Sequence, residues 1–169
     1  MQTLYDDNEN YQSQVLFYID RPTVNKNVAY YSAVWNKKTG KLHPKQPIVV
    51  NWVMLEKDKT GQVVEKLTYL EEKYIYGISL ESKTTTPERQ TFCIVSMPKY
   101  PITVFFSSKE QQWKAGIRLD VPVLLDHISA TVQKISFLPK VTDLTVVGFD
   151  SYGSKLSQVI SVNKSLSIV

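Results

Sequence analysis

Alanine and cysteine are both scarce in this 169-residue chain, and each scarcity excludes a class of protein. With only four alanines, a mainly helical protein is disfavoured, because alanine is the best helix former. The single cysteine, Cys93, excludes an internal disulfide and so a small secreted scaffold held by disulfides. Cys93 lies in the apolar run 91–95, which favours a small buried residue; a nucleophilic pair with His127 is the minor alternative.

Long apolar runs are absent as well. No run approaches 18 residues, so no membrane-spanning helix is predicted. Residues 1–10 are polar and acidic, unlike a signal peptide. The sequence therefore predicts a cytoplasmic protein, or a periplasmic or secreted one whose signal peptide has been removed. It does not indicate the oligomeric state.

Positive charge is confined to one loop. The net charge is +4, and the four lysines of residues 37–45 account for a surplus of that size. The rest of the chain is balanced and contains only three arginines. A nucleic-acid partner is not expected, because such proteins carry a basic stripe interleaved with aromatic residues.

Residues that could bind a metal or a cofactor are few. Two histidines and one cysteine give no spacing typical of a metal site, and no glycine-rich nucleotide motif occurs. The sequence therefore predicts neither a metal nor a cofactor. Asp126 and His127 are adjacent, and neighbouring residues of a strand point to opposite faces. We therefore do not expect these two side chains to pair.

Strand-forming residues, by contrast, are abundant. Valine, isoleucine, threonine and the aromatic residues together number 63 of 169. Short turns separate segments of alternating polarity, which predict about ten strands, at 15–20, 27–35, 48–55, 74–81, 90–97, 101–107, 113–123, 125–138, 143–150 and 155–162. One short helix is predicted near 65–73, docked through Leu67, Leu70 and Tyr74. A change of apolar face near Gln133-Lys134 predicts a bulge or bend.

These elements predict an all-β fold. We favour an antiparallel meander closing into a β-barrel, similar in general shape to lipocalins and streptavidin, because a long bent strand and clean alternation suit a curved sheet. A two-sheet β-sandwich is the alternative. Residues 1–13 are predicted to form a flexible arm, and residues 14–169 a single barrel domain.

Several short segments in the first eighty residues resemble a known family. They are Leu16–Pro22, Asn25–Val28, Pro47-Ile48, Trp52–Leu55 and Tyr76–Ile78. They are similar to an uncharacterised bacterial family classified only as a domain of unknown function, and the similarity extends over about 14–165. The resemblance implies a single, mostly β domain in bacteria that often export it. It implies no catalytic residue, because the family has no assigned activity.

Polar and aromatic residues on strands form the candidate binding site. The residues predicted to line it, at the barrel mouth, are Arg21, Tyr30, Trp52, Tyr76, Lys114 and Arg118. If Lys114 and Arg118 faced inward, the barrel would enclose a cationic cavity for a polar or anionic ligand. In the alternative, Ala115 and Ile117 fill the interior and the cations face water.

Three functions are therefore considered. The first is a non-enzymatic module that binds a small polar or anionic molecule, or a partner surface. The second is an enzyme on the same scaffold that uses tyrosine, arginine and aspartate in acid–base chemistry. The third is a structural or interaction protein with an exposed strand edge. The sequence favours the first and does not identify the ligand.

Overall fold

The computed structural model of the chain describes residues 10–20, 28–55, 62–135 and 138–161. These residues are mostly in strands, and a single short helical segment lies among them, so the predictions of an all-β fold and one short helix are confirmed. The first strand begins at Tyr11 and already pairs there with Asn36, so residues 11–13 of the predicted arm belong to the sheet.

The strands follow one another along the chain with one helical interruption. They are β1 (Tyr11–Asp20), β2 (Val28–Asn36), β3 (Ile48–Leu55), β4 (Gln62–Lys66), β5 (Ile78–Thr86), β6 (Arg89–Ile94), β7 (Ile102–Ser107), β8 (Gln112–Arg118), β9 (Pro122–Ile135), β10 (Leu138–Phe149) and β11 (Lys155–Ser161). Helix α1 (Tyr69–Glu71) continues as a π-helix, Glu72–Tyr76, between β4 and β5.

Nine strands form a strongly curled half-barrel in the order β4-β3-β2-β1-β9-β8-β7-β6-β5. Neighbouring strands are antiparallel except β1 and β9, which are parallel through residues 18–20 and 127–129. Strand β10 pairs with β9, and β11 pairs with β10. Within the described residues the end strands β4 and β5 do not pair with each other. The predicted curved sheet is therefore present, as a half-barrel and not as a closed barrel.

Strand β9 is the junction of the sheet. Residues 122–124 pair with β8, and residues 127–129 pair with β1. Strands β8 and β1 therefore follow one another along the same edge of β9, because β10 pairs with the other edge. Gln14 links these two strands: its side-chain amide donates to the Trp113 carbonyl at 2.8 Å and accepts from the Trp113 N–H at 3.0 Å. These two bonds satisfy the backbone N–H and C=O groups of Trp113, and backbone polar groups away from water need such partners.

The inner face of the curled sheet holds the hydrophobic core, and Phe17 is central to it. The Phe17 side chain is 1% exposed; its ring stacks on Tyr31 at 4.6 Å and lies parallel to Phe92 at 6.5 Å. The buried Tyr31 hydroxyl donates to the Tyr76 carbonyl at 2.7 Å. Burial raises the pKa of Tyr31 well above its ordinary value, so the hydroxyl remains a donor.

The helix begins at Tyr69 and not near residue 65, because residues 62–66 pair with β3 as strand β4. A capping box closes its start: the Thr68 hydroxyl accepts from the Glu71 N–H at 3.3 Å, and the Glu71 carboxylate accepts from the Thr68 N–H at 2.9 Å. Each bond satisfies a free N–H of the first turn, which fixes the starting point.

The predicted docking face of the helix is only partly right. Leu67 packs against the core as expected, but Leu70 and Tyr74 are exposed. Ile75 and the buried Tyr76 hold the segment to the sheet in their place. The π-helical turn changes the residue spacing, so a periodicity of 3.6 residues selects the wrong side chains.

The predicted strand at 113–123 is broken. Strand β8 ends at Arg118 and β9 begins at Pro122, with a turn at 119–121 between them. The alternation within β8 is as predicted: Trp113, Ala115 and Ile117 are buried. The polar face of the strand therefore lies outside the core.

The bulge predicted at Gln133-Lys134 is elsewhere. Residues 133 and 134 pair in regular register with β10, and the register shifts lie between Val141 and Asp143 and between Val147 and Gly148. The second shift leaves Asp126 as an extra residue in β9. Strand β9 therefore has a bulge at Asp126 and none at Gln133-Lys134.

Candidate functional site on the outer face of the sheet

A groove of about 1130 Å³ crosses the outer face of β7, β8 and β9. The strand register aligns Thr103 with Gly116 and Gly116 with Leu124. Because alternate residues share a face, Gly116 lies between Lys114 and Arg118 on that outer surface. Gly116 has no side chain, so the two long cationic side chains flank an open floor.

Apolar side chains, of which Phe105 is half-buried and the others are exposed, form part of the groove wall. Phe105 of β7, Leu124 of β9 and Phe149 at the end of β10 line it, together with Tyr152 in the turn before β11. Leu124 and Phe149 are directly opposite each other and both more than a third exposed, and Tyr152 is 93% exposed. Exposed apolar side chains collected in one concave surface are typical of a binding site.

Charges of both signs line the groove: Arg89, Lys109, Lys114, Arg118, Glu110, Asp126 and Asp150. Lys114 forms an ion pair with Glu110, and its hydrogen bond lowers the pKa of Glu110, so this carboxylate remains ionised. Arg118 is exposed and has no carboxylate within ion-pair distance among the described residues. It is therefore available to an anionic ligand beside the floor at Gly116.

Asp126, which lines the groove, also holds a histidine that is not among the lining residues. The Asp126 Oδ2 and His127 Nδ1 atoms are 2.6 Å apart, although the two residues are adjacent in β9. The expectation that they could not pair is wrong, because the bulge at Asp126 interrupts the alternation of side chains. When the Asp126 carboxylate is ionised it accepts from Nδ1–H, which leaves Nε2 as the proton acceptor of the ring.

Tyr18 packs against this pair. Its ring is stacked on that of His127, with centroids 5.1 Å apart and planes within 7°. Burial raises the pKa of Tyr18, and the carboxylates of Asp126 and Asp20 raise it further. Both carboxylates therefore create a negative potential at the phenol, which stays protonated.

Comparison with known proteins identifies the family of the chain but not an activity. The family model described as "Domain of unknown function (DUF4833)" matches residues 17–158. The chain belongs to this family. The match confirms the resemblance to an uncharacterised domain family and covers Lys114, Gly116, Arg118, Asp126 and His127. No curated protein and no solved structure is detectably similar to the chain.

The six residues of the predicted site are dispersed. Arg21 lies outside the described residues. Trp52 and Tyr76 are in contact, with ring centroids 5.4 Å apart, but both are buried in the core. Tyr30 is half-buried on the outer face of β2.

Lys114 and Arg118 come together, but not in a cavity inside the barrel. Ala115 and Ile117 are each 2% exposed and fill the inner face of β8. The two cations are therefore on the outer side, as in the second of the two sequence interpretations, and they line the open groove.

Cys93 is half-buried and not part of the groove. Its thiol contacts the Pro98 carbonyl at 3.7 Å and the Glu81 carboxylate at 4.0 Å. Burial and then the charge of Glu81 raise the pKa of Cys93, which opposes formation of a reactive thiolate. The partners of this side chain give no support to a pair with His127.

Sequence reasoning missed Phe105, Phe149 and the contact between Asp126 and His127. The sequence did offer a signal for the groove floor: a glycine between two cations on one strand face, in residues 114–118. The other residues come from strands that are distant in the chain, so only the strand register could bring them together.

Two further site types find no support in the part of the chain that the structure describes. No three histidine, cysteine, aspartate or glutamate side chains come together there as a metal site would need. The described helical residues also include no segment with the length and apolar character needed to cross a bilayer.

Proposed function

We propose that this domain is a non-enzymatic binding module whose ligand lies in the outer-face groove. The observation that carries the proposal is the open floor at Gly116 between Lys114 and Arg118. The ligand combines an anionic group with an apolar or flat portion. The Arg118 guanidinium, which has no carboxylate partner in the described part of the chain, favours such an anion, because charge-assisted hydrogen bonds are stronger than neutral ones.

The apolar wall of the groove supports the proposal that the ligand has an apolar or flat portion. Phe105 is directly opposite Lys114, and Leu124 is directly opposite Phe149. A flat ligand above Gly116 can cover these side chains while its anionic group reaches Arg118. Covering them removes apolar surface from water, which favours binding in proportion to the area buried.

Replacing Gly116 with valine is expected to abolish binding in the groove without unfolding the protein. A Cβ atom at this position meets nothing nearer than the Phe105 ring at 3.6 Å, so the backbone accommodates the first carbon of a side chain, and the valine methyl groups extend over the floor. Anilinonaphthalene sulfonate, an anionic and apolar fluorescent probe, measures the effect. We expect saturable binding by the wild type, none by G116V, and affinity about tenfold weaker for Arg118→Gln.

Lys99→Gln is the matched control, because Lys99 is exposed and does not line the groove. It removes one positive charge from the protein and should leave the affinity unchanged. Circular dichroism and thermal melting establish that each variant is folded. The proposal is wrong if G116V is folded and still binds the probe with wild-type affinity.

A second candidate function, acid–base catalysis, is favoured by the contact between Asp126 and His127. A carboxylate that orients an imidazole is the arrangement of many general bases. Asp126 lines the groove, so a ligand bound there can reach the carboxylate that holds His127. His127 is 20% exposed at its side chain, which leaves it accessible to solvent.

If the pair is catalytic, the protein should hydrolyse an activated ester such as nitrophenyl acetate, and His127→Gln should lower the rate by about 100-fold. His43→Gln removes the other histidine of the chain, whose Nδ1 accepts from the backbone N–H groups of Lys45 and Gln46, and is expected to have no effect. Equal rates for the wild type and both variants would exclude His127 as a base in this reaction.

A further inference from the structure

A second group of side chains on the outer face lies on β9, β1, β2 and β3. The register places His127 opposite Tyr18, Tyr18 opposite Tyr30, and Tyr30 opposite Asn51. The Tyr18 ring is stacked on His127 at 5.1 Å and tilted against Tyr30 at 5.8 Å. These three half-buried rings are called the aromatic platform below.

Two buried oxygen atoms beside the aromatic platform lack hydrogen-bond donors. They are Oδ1 of Asp20 and Oδ1 of Asn51, neither of which has a hydrogen-bond partner in the described structure. Asp20 is two residues after Tyr18 on β1 and so shares its face. A buried acceptor without a donor is unfavourable, so both atoms are suited to accept an N–H or O–H from a bound molecule.

The charges around the aromatic platform indicate whether the bound donor is charged or neutral. Asp126 and Asp20 both raise the pKa of Tyr18, which indicates a negative potential at the rings. Asp126 is paired with His127, so Asp20 is the carboxylate left for a ligand. Lys66 is directly opposite Asn51, and its residue is exposed. A positively charged donor is favoured over a neutral hydroxyl.

We infer that the aromatic platform, together with Asp20, binds a small organic ammonium ion such as a primary amine. The tyrosine ring faces attract the cation, as aromatic rings do in other ammonium sites. The Asp20 oxygen accepts its N–H groups. This site is separate from the groove floor at Gly116 and does not depend on the function proposed for the groove.

Butylammonium is the test probe, and its binding is followed by NMR of the tyrosine ring resonances. We expect saturable shifts of Tyr18 and Tyr30 and about tenfold weaker binding of tetramethylammonium, which has no N–H to donate. Butanol, a neutral molecule of similar size, should produce no saturable shift. Asp20→Asn should weaken butylammonium binding about tenfold, because it removes the charge and keeps the shape.

Two controls separate this site from general charge effects and from the groove. Asp120→Asn removes an exposed carboxylate that is on the turn after β8, and should leave butylammonium affinity unchanged. Gly116→Val should also leave it unchanged while abolishing probe binding in the groove. The inference is overturned if wild-type protein shows no saturable shift, if butanol binds equally well, or if D20N and D120N weaken binding to the same extent.

Discussion

Replacing Phe17 with alanine is expected to lower the free energy of unfolding by about 3–5 kcal/mol. The Phe17 ring is 1% exposed and lies between the rings of Tyr31 and Phe92, so it joins the first strands of the sheet to β6. Its removal loses the burial of a large apolar side chain and leaves a cavity that two rigid rings cannot fill. The loss is comparable to a large part of the stability of an ordinary domain.

Urea unfolding followed by circular dichroism measures this change. Val15→Ala on the same strand is the control: Val15 is 51% exposed, and its truncation should change the free energy by less than about 0.5 kcal/mol. If F17A and V15A had equal effects, Phe17 could not be in the core position that the structure assigns to it.

Replacing Gly148 with alanine is the second large effect, with an expected destabilisation of about 3 kcal/mol. A Cβ atom there would lie 2.2 Å from the Leu124 carbonyl oxygen and 2.5 Å from Cγ1 of Val123. The first atom belongs to the backbone of β9, so strands β9 and β10 would have to separate. This is the position of the register shift that leaves Asp126 as an extra residue. The substitution should therefore also disturb the contact between Asp126 and His127.

Gly116→Ala is the matched control for this prediction. It makes the same chemical change in the neighbouring strand β8, where the nearest atom to the new Cβ is 3.6 Å away. We expect no loss of stability, or a small gain, because alanine restricts the unfolded chain more than glycine does. Thermal melting of both variants, with NMR of the His127 ring, compares them. Equal melting temperatures for G148A and the wild type would contradict the close approach of β9 and β10.

The groove and the aromatic platform are neighbours on the outer face but differ in charge. Arg118 makes the groove suited to an anion, whereas Asp20 makes the platform suited to a cation. Asp126 belongs to both, because it lines the groove and holds the histidine on which Tyr18 is stacked. The bulge at Asp126 is therefore the structural feature that connects the two surfaces.

The candidate site could be predicted only in part. The glycine between Lys114 and Arg118 was visible as a pattern within one strand, and so was the choice between an inward and an outward polar face. The sequence left open whether Lys114 and Arg118 face the interior or solvent, because alternation defines two strand faces and does not say which one packs against the core. Trp52 and Tyr76 show the same ambiguity: their aromatic rings suit a pocket wall and a core equally well, and the structure buries both.

The sequence by itself determined the all-β class, most strand positions and the alternation within them, because these depend on residues close in the chain. Only the tertiary structure decided the half-barrel curvature, the parallel contact of β1 with β9, and the bulge that pairs Asp126 with His127. These features depend on which strands become neighbours and in what register. That choice is made by packing of side chains distant in the chain, such as Phe17 against Phe92, so no local pattern contains it.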